Sequence, residues 1–298
     1  MCLYIVSKGV FWMKLLLTVL MMLCCLFAAI PAFAQEENFS VPEGFDEKRE
    51  NTNYGKMVYF TYPSQTTGWE RKCYVILPVD YDETKSYPVL YLLHGIGGDH
   101  SEWLGGKPDV VIGNLVADGL AKDMIVVLPN VRARMNDAAN PADIYSPEHF
   151  AAFDNFINDL KNDLMPYMAA NYSIATGPEN TAIAGLSMGG REALYIGLSM
   201  PETFGYIGAF TPAPGILPYN AEAGLFTPET LKAADGYTPF ILINAGKSDG
   251  VVGAWPETYS RTLTTNGTKN IFYVTEGGHD FMVWRHGLYH FAKNIFVD

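Results

Sequence analysis

Cysteine is scarce in this chain, and its placement excludes a disulfide framework. The 298 residues contain four cysteines, of which Cys2, Cys24 and Cys25 fall within the first 34 residues. Cys73 then stands alone, so no internal disulfide can form once that first segment is removed. Because Cys73 lies in a strand-like run of alternating apolar residues, we interpret it as a small core residue and not as a reactive thiol.

Positive charge is also in short supply. The chain has 20 lysine and arginine residues against 32 aspartate and glutamate residues, a formal net charge of -12. Residues 1–34 hold Lys8 and Lys14 and no acidic residue, so their removal leaves 18 basic against 32 acidic residues, a net charge of -14. A surface with this balance repels phosphate backbones, which argues against nucleic acid as a partner.

Long-period repeats, low-complexity stretches and a proline-, serine- or threonine-rich linker are likewise lacking. Such features would mark a solenoid, a disordered region or a second domain. With 49% hydrophobic and 13% aromatic residues, the chain has enough apolar surface for one sizeable core. We therefore expect one domain over residues 56–298, preceded by a polar lead over residues 35–55.

The N-terminal segment is typical of a signal peptide. Met13-Lys14 is followed by an apolar run from Leu15 to Ile30 and then by the Ala-x-Ala ending of Pro31-Ala32-Phe33-Ala34. This order predicts cleavage after Ala34, with residues 1–12 as an over-long start, and a secreted or periplasmic product without a stable membrane partner. Two alternatives stay open: a retained membrane anchor, because the apolar stretch is long enough to span a bilayer, and lipid attachment at Cys24-Cys25.

Apolar patterning predicts an α/β fold. Alternating apolar residues at Met57 to Tyr62 and Arg71 to Leu77 suit an antiparallel edge, and the continuous runs Val89 to Leu93 and Met124 to Leu128 suit buried parallel strands. Strands and helices then alternate, with strands expected at Thr181 to Ala184, Tyr206 to Phe210, Phe240 to Asn244 and Ile271 to Thr275, and a helix at Val110 to Leu120. This alternation predicts a mostly parallel sheet covered by helices on both faces.

A long amphipathic helix is expected from Phe153 to Met168, where apolar residues recur at spacings of three and four. Pro166 should kink or end it. The segment before it, Arg132 to His149, follows a central strand and looks loop-like, with Asn136, Asn140, Pro141 and Pro147. It is either a wall of a binding pocket or a plain surface excursion.

One glycine-rich motif carries the main functional signal. Gly185-Leu186-Ser187-Met188-Gly189-Gly190 contains the pattern Gly-x-Ser-x-Gly, which is short enough to arise by chance in a chain with 28 glycines. Its context is the stronger argument, because it follows the apolar strand Thr181 to Ala184 and opens a helix-like run from Arg191 to Leu198. A strand, a sharp turn and a helix form a nucleophile elbow, which exposes a serine hydroxyl. Ser187 is the candidate nucleophile.

A histidine must take the proton of such a serine, and a carboxylate must hold that histidine in the useful tautomer. In this fold class the base follows the nucleophile in the chain, which restricts it to His279, His286 or His290. His279 is the candidate because it lies in a glycine loop just beyond a strand. His286 and His290, four apart on the expected C-terminal helix, lack the glutamate of His-Glu-x-x-His and a third ligand, so no metal is implied.

Asp249 is the candidate acid. It lies in a loop that directly follows the strand ending at Asn244, and strand ends carry the active sites of such sheets. Asp235 precedes that strand, and Asp280 is adjacent in sequence to the histidine that it would have to orient, so both are poorer candidates.

An oxyanion hole completes the constellation, since two backbone N–H groups must face the oxygen that gains charge in the tetrahedral intermediate. We assign one to Met188, at the start of the helix after the serine. We assign the other to Ile96, in the loop His94-Gly95-Ile96-Gly97-Gly98 after the strand Val89 to Leu93. His94 then has a positioning role. This chemistry needs no metal and no organic cofactor.

Four blocks of the chain resemble, in order, those of the esterase D-like group, which includes carbohydrate esterase family 1 with its feruloyl and acetylxylan esterases. The blocks are Leu92-Leu93-His94-Gly95-Ile96-Gly97-Gly98, Val127-Leu128-Pro129-Asn130, Ala184-Gly185-Leu186-Ser187-Met188-Gly189-Gly190 and Gly277-Gly278-His279-Asp280-Phe281. The resemblance covers most of residues 57–298. It implies the α/β-hydrolase fold and a triad of Ser187, Asp249 and His279.

The resemblance also implies a substrate class. For an exported enzyme, a feruloyl or acetyl ester of plant xylan-type polysaccharide fits best, by family analogy. The same group includes mycolyltransferase-like acyltransferases and S-formylglutathione hydrolases, and a non-catalytic carbohydrate-binding protein on a hydrolase scaffold is a third alternative. Trp103, Tyr145, Phe150 and Trp284 are candidates for stacking on sugar or phenolic groups, although each is also a candidate packing residue.

Overall fold

The computed structural model describes residues 39–138, 142–220 and 222–297. The expected signal segment, with its three cysteines, lies outside the described residues, as do the start of the polar lead and the pair Asn140-Pro141. From Phe39 onward the chain forms one compact unit. None of the helices described in these ranges has the length and apolar character needed to cross a bilayer.

An eight-stranded sheet forms the centre of this unit, in the order β1-β2-β4-β3-β5-β6-β7-β8. The edge strand β1 pairs antiparallel with β2, β2 also runs antiparallel to β4, and the strands from β4 to β8 in this order are parallel to one another. The bounds are β1 Lys56–Ser64, β2 Trp69–Leu77, β3 Val89–Leu93, β4 Ile125–Pro129, β5 Thr181–Leu186, β6 Tyr206–Phe210, β7 Phe240–Gly246 and β8 Ile271–Thr275.

Helices cover both faces of the sheet. Their bounds are α1 Pro108–Ala117, α2 Pro147–Asp154, α3 Phe156–Asp159, α4 Met165–Asn171, α5 Met188–Ser199, α6 Trp255–Thr265 and α7 Phe281–Asn294. One core holds α1 and α7 against the sheet through side chains such as Leu115 and Leu288. The other core holds α2 to α6 through side chains such as Phe153, Leu194 and Tyr259. Strands β3, β4 and β5 are buried along their whole length because both cores contact them.

The helix expected from Phe153 to Met168 is broken, which corrects the prediction of one continuous helix. A wider π-helical turn, Leu160–Leu164, separates α3 from α4. Pro166 lies at the start of α4, and its missing N–H cannot close the regular bond to the preceding turn. Acidic side chains on this stretch contact the β1–β2 edge instead: Asp159 accepts from Tyr62 Oη at 2.6 Å, and Asp163 accepts from the Gln65 amide at 2.9 Å. The spacing of apolar residues along the sequence cannot predict polar contacts of this kind.

Cys73 is fully buried in β2, where burial raises the pKa of its thiol well above the usual value. This agrees with its interpretation as a small core residue.

The segment that starts at Arg132 begins irregularly, as expected, but α2 starts at Pro147, with Ser146 as its N-cap. The predicted loop was therefore three residues too long at its C-terminal end.

The topology brings four loops to one edge of the sheet. Loops that follow β3, β5, β7 and β8 all leave from the carboxyl ends of parallel strands. Those loops carry, in order, the His94 to Gly98 segment, Ser187, Asp249 and His279. Residues that are up to 185 positions apart, from His94 to His279, thus meet at the edge where open α/β sheets bind their ligands.

Candidate active site

Ser187 lies on a strained turn between β5 and α5. Its backbone has φ 52° and ψ -117°, a conformation that non-glycine residues rarely adopt, and Ser187 is therefore held there by its surroundings. Gly189 allows the helix to approach β3, since a Cβ at this position would lie 2.4 Å from the Leu93 carbonyl oxygen and 2.5 Å from that of His94. The predicted elbow of strand, turn and helix is present, and its geometry depends on a glycine.

His279 connects the serine to a carboxylate. His279 Nε2 lies 2.9 Å from Ser187 Oγ, and His279 Nδ1 lies 2.8 Å from Asp249 Oδ2. The second oxygen of Asp249 accepts the backbone N–H groups of Val251 at 2.9 Å and Val252 at 3.2 Å. With both oxygens bound, the carboxylate is fixed in direction, and the Nδ1 hydrogen of His279 must point toward it. Nε2 is then free to accept the serine proton.

The other candidate acids and histidines have different environments. Asp280 caps α7 by accepting from the amides of Met282 and Val283, and Asp235 lies exposed in a turn before β7. On α7, the buried His286 lies 3.2 Å from the Tyr273 hydroxyl, and His290 packs beside it. Over the ranges that the structure describes, no three histidine, cysteine or acidic side chains cluster in the way that a metal ion requires.

Thr211 is a site residue that sequence reasoning missed. It directly follows β6, is fully buried, and has a left-handed backbone with φ 45°. Its Oγ1 accepts the indole N–H of Trp284 at 2.8 Å and lies 3.2 Å from His279 Nδ1. The hydroxyl thus supplies a second oxygen beside the Nδ1 hydrogen that faces Asp249. Its place at the carboxyl end of a parallel strand was the available signal.

The four aromatic candidates have different environments. Phe150, on α2, is partly buried and packs against the core. Trp103 is only 1% exposed and donates its indole N–H to the Leu93 carbonyl at 2.8 Å, which places it in the core and leaves no ring face for a ligand. Trp284 is 7% exposed and meets the His279 ring edge-on, with centroids 5.2 Å apart, so it packs against the histidine. Tyr145, 77% exposed, keeps a free surface and stays a candidate for substrate contact.

The two candidate oxyanion amides belong to segments that lie near Ser187. Met188 begins α5, where the first N–H groups of a helix have no intrahelical acceptor and the helix dipole favours negative charge. The loop that holds Ile96 is close to the nucleophile, because a Cβ on Gly95 would come within 3.4 Å of Ser187 Cβ. The segments that carry these two amides therefore lie next to the triad of Ser187, His279 and Asp249.

Comparison with known proteins connects this geometry to a family. The family model Esterase matches residues 64–293. A solved structure of a CE1 ferulic acid esterase from Anaeromyces mucronatus, in complex with ferulic acid, is 40% identical, covers 87% of this chain and 97% of its own, and superposes with a TM-score of 0.81. A feruloyl esterase module from Clostridium thermocellum, 17% identical, shares the fold with a TM-score of 0.66 over 86% of this chain and 92% of its own. The predicted fold class is confirmed.

Curated relatives include longer proteins. An endo-1,4-beta-xylanase/feruloyl esterase from Xylanibacter ruminicola is 30% identical over 88% of this chain, but the match covers 34% of that protein. An acetyl esterase from Caldicellulosiruptor saccharolyticus is 26% identical over 70% of this chain and 86% of its own length. The chain therefore spans about a third of the length of the first curated relative that it matches.

Proposed function

Since the chain belongs to the Esterase family, in the group of carbohydrate esterase family 1, we propose that it hydrolyses carboxylic esters through an acyl-enzyme on Ser187. The observation that carries the proposal is the relay Ser187–His279–Asp249, with its two hydrogen-bond distances of 2.9 and 2.8 Å on a strained elbow. A serine in this arrangement is an activated nucleophile, because its proton has an acceptor in place.

In the first half-reaction, Ser187 Oγ attacks the ester carbonyl carbon while its proton passes to His279 Nε2. The imidazolium that forms is stabilised by Asp249, whose carboxylate stays ionised. The carbonyl oxygen becomes an oxyanion and accepts hydrogen bonds from the Ile96 and Met188 amides. Collapse of the intermediate breaks the bond to the alcohol oxygen, which leaves with the proton from His279.

In the second half-reaction, a water molecule attacks the acyl group on Ser187. His279 Nε2 takes a proton from that water and returns it to Ser187 Oγ when the acyl bond breaks. The products are the free acid and the regenerated enzyme. Each proton that leaves an oxygen in one step is given back in the next, so the cycle needs no cofactor.

We propose a hydroxycinnamoyl ester of plant polysaccharide, such as feruloylated xylan, as the substrate. Support comes from the 40% identical ferulic acid esterase and from the relative that joins a xylanase to a feruloyl esterase. An acetyl ester is the second candidate, favoured by the acetyl esterase relative. The exposed Tyr145 is the aromatic residue that we propose for contact with the acyl or sugar group.

A substrate panel tests activity and acyl class together. Purified protein is assayed on methyl ferulate, methyl p-coumarate, acetylated xylan and S-formylglutathione, beside Ser187→Ala and the matched serine variant Ser248→Ala. Ser248 is exposed and directly precedes Asp249. Its replacement shows whether any serine-to-alanine change near the site lowers the rate. We expect the highest kcat/KM on methyl ferulate, no turnover by Ser187→Ala and wild-type rates for Ser248→Ala. Turnover by Ser187→Ala would refute the acyl-enzyme at this residue.

We further propose that residues 1–34 direct export and are removed after Ala34, on the strength of the charge, apolar run and Ala-x-Ala pattern. Expression in an exporting host, followed by N-terminal sequencing, should give a mature chain that begins at Gln35. Recovery of the uncleaved chain in the membrane fraction would contradict removal and support the anchor.

A further inference from the structure

Three consecutive peptide groups after β3 are each held by a different side chain. The Gly95 N–H donates to Glu102 Oε2 at 2.6 Å. The Gly95 carbonyl oxygen accepts from His94 Nδ1 at 2.7 Å, and the Ile96 carbonyl oxygen accepts from His149 Nε2 at 2.8 Å. Glu102 belongs to the short helix Glu102–Gly106 and His149 to α2, so the loop is fixed from two separate elements.

The backbone partners determine the tautomers of both histidines. His94 Nε2 accepts the Val131 N–H at 2.8 Å, so the hydrogen of a neutral ring lies on Nδ1 and is donated to the Gly95 carbonyl. His149 Nε2 faces a carbonyl oxygen and must carry the hydrogen there. Burial, aided by the charge of Arg132, lowers the pKa of His94 to about 3, and burial also lowers the pKa of His149. Both rings are therefore neutral donors near pH 7.

These bonds determine the direction of one particular amide. The Gly95 carbonyl and the Ile96 N–H belong to the same peptide group, which is planar and trans, so fixing the oxygen fixes the N–H on the opposite side. The bonds to the Gly95 N–H and the Ile96 carbonyl hold the two neighbouring peptide groups and prevent rotation about the bonds between them. The Gly98 amide adds a turn bond to the same Gly95 oxygen at 3.2 Å.

We propose that Glu102 and His149 are positioning residues which, with His94, hold the Ile96 amide ready for the oxyanion before substrate binds. This inference rests on the proposed function. It assigns a role in that function to two residues that lie outside the sequence motifs of the site. Neither side chain needs to contact substrate. Each acts through the backbone that it binds.

The loop needs such support because of its composition. Gly95, Gly97 and Gly98 give it more conformational freedom than any other residue type would, and an unrestrained loop would lose that freedom at each turnover. Donors fixed in advance require no reorganisation when charge develops, and the loss of one oxyanion-hole donor lowers kcat by about 10²–10³. Loss of one side-chain hydrogen bond to the loop misorients the donor without removing it, so the fall in kcat should be smaller, about 10- to 100-fold.

The test compares paired variants at both positions. His149→Ala and Glu102→Ala each remove one of the side-chain hydrogen bonds to the loop. His149→Gln retains an amide donor, and Glu102→Gln retains an oxygen acceptor. The control is Tyr237→Phe, which removes partly buried hydroxyl bonds to the Gly197 carbonyl, 3.1 Å long, and to the Phe204 carbonyl, at the opposite end of the parallel strands. Rates are normalised by active-site titration, so that misfolded protein does not count.

Two quantities are measured for each variant: kcat and KM on the best ester of the panel, and the dissociation constant of an arylboronic acid, which forms a tetrahedral adduct on serine. We expect both alanine variants to lose about 10- to 100-fold in kcat with little change in KM, and to bind the boronic acid correspondingly less tightly. The glutamine variants should recover most of kcat, and Tyr237→Phe should change only stability.

A merely structural role gives a different pattern. Alanine variants that raise KM at constant kcat, or that fold less stably yet keep wild-type kcat per titrated site, would overturn the positioning role. So would a loss of kcat without any change in boronic acid binding. Because these outcomes require an active wild-type protein, they separate this inference from the proposed function, which fails first if the wild type turns over no ester.

Discussion

Substitution of Gly189 by alanine probes the elbow at its tightest contact. The new methyl group would lie 2.4 Å from the Leu93 carbonyl oxygen and 2.6 Å from the Leu93 carbonyl carbon, whereas ordinary contacts begin near 3.4 Å. These atoms and the His94 carbonyl oxygen, at 2.5 Å, all belong to the backbone of β3 and the residue after it, so no side chain can move aside. Helix α5 must instead shift away from β3 by about 1 Å, and the shift carries Ser187 with it.

The magnitude follows from that displacement. Overpacking of this kind costs about 1–3 kcal/mol of folding free energy, which for a domain of this size lowers Tm by roughly 2–4 °C per kcal/mol. The effect on activity should be larger, because a displacement of about 1 Å in a reacting group lowers the rate by about 10². Thermal unfolding and kcat on a p-nitrophenyl ester measure the two effects on the same sample.

Gly250→Ala is the matched control, since a Cβ there has no atom within 4 Å and its backbone is not in the left-handed region. It lies beside Asp249 and should leave both Tm and kcat near wild type. A Gly189→Ala variant with wild-type Tm and kcat would refute the argument that this glycine sets the position of the nucleophile.

Three further predictions concern Asp249, Thr211 and the buried Glu192. Asp249→Asn offers an amide donor to His279 Nδ1 and so favours the wrong tautomer; kcat should fall by about 10⁴, and a loss below about tenfold would exclude the acid role. Thr211→Val leaves the buried Trp284 N–H without its acceptor and should lower the free energy of unfolding in urea by about 1–3 kcal/mol, whereas Thr211→Ser should stay near wild type. Burial raises the pKa of Glu192 to about 7 from 4.5, so the folded state binds the extra proton and the free energy of unfolding should fall as pH rises from 4.5 to about 7. Glu192→Gln should remove that fall, and equal pH slopes for variant and wild type would contradict the assignment.

Much of the fold and part of the site follow from local sequence patterns. Continuous apolar runs at Val89 and Met124 marked buried parallel strands, and the carboxyl ends of parallel strands lie at one edge of a sheet whatever their order. That rule selected Asp249 and supported His279, which lie in the loops after two of these strands, whereas the Gly-x-Ser-x-Gly motif between a strand and a helix selected Ser187. The structure then brings these three side chains within hydrogen-bond distance.

Contacts between side chains distant in sequence could not be predicted in this way. Thr211 and Trp284 are 73 positions apart, and their hydrogen bond depends on how α7 packs beside the end of β6. Trp103 was a candidate both for stacking on a ligand and for packing, and the structure places its indole N–H against the Leu93 carbonyl oxygen in the core. An aromatic residue near a site in sequence has no fixed orientation until tertiary packing assigns it one. The hydrogen bonds from Glu102 and His149 to the loop after β3 likewise depend on tertiary packing.

Trapping the acyl-enzyme is the decisive measurement for covalent chemistry at Ser187. Protein mixed with p-nitrophenyl acetate is quenched in acid within the first turnover, digested and mapped by mass spectrometry, beside Asp249→Asn. We expect a single acetyl adduct on the peptide that contains Ser187, formed much more slowly in the variant. Rapid ester turnover with the adduct on another residue, or with an unmodified Ser187 throughout the burst, would exclude Ser187 as the nucleophile.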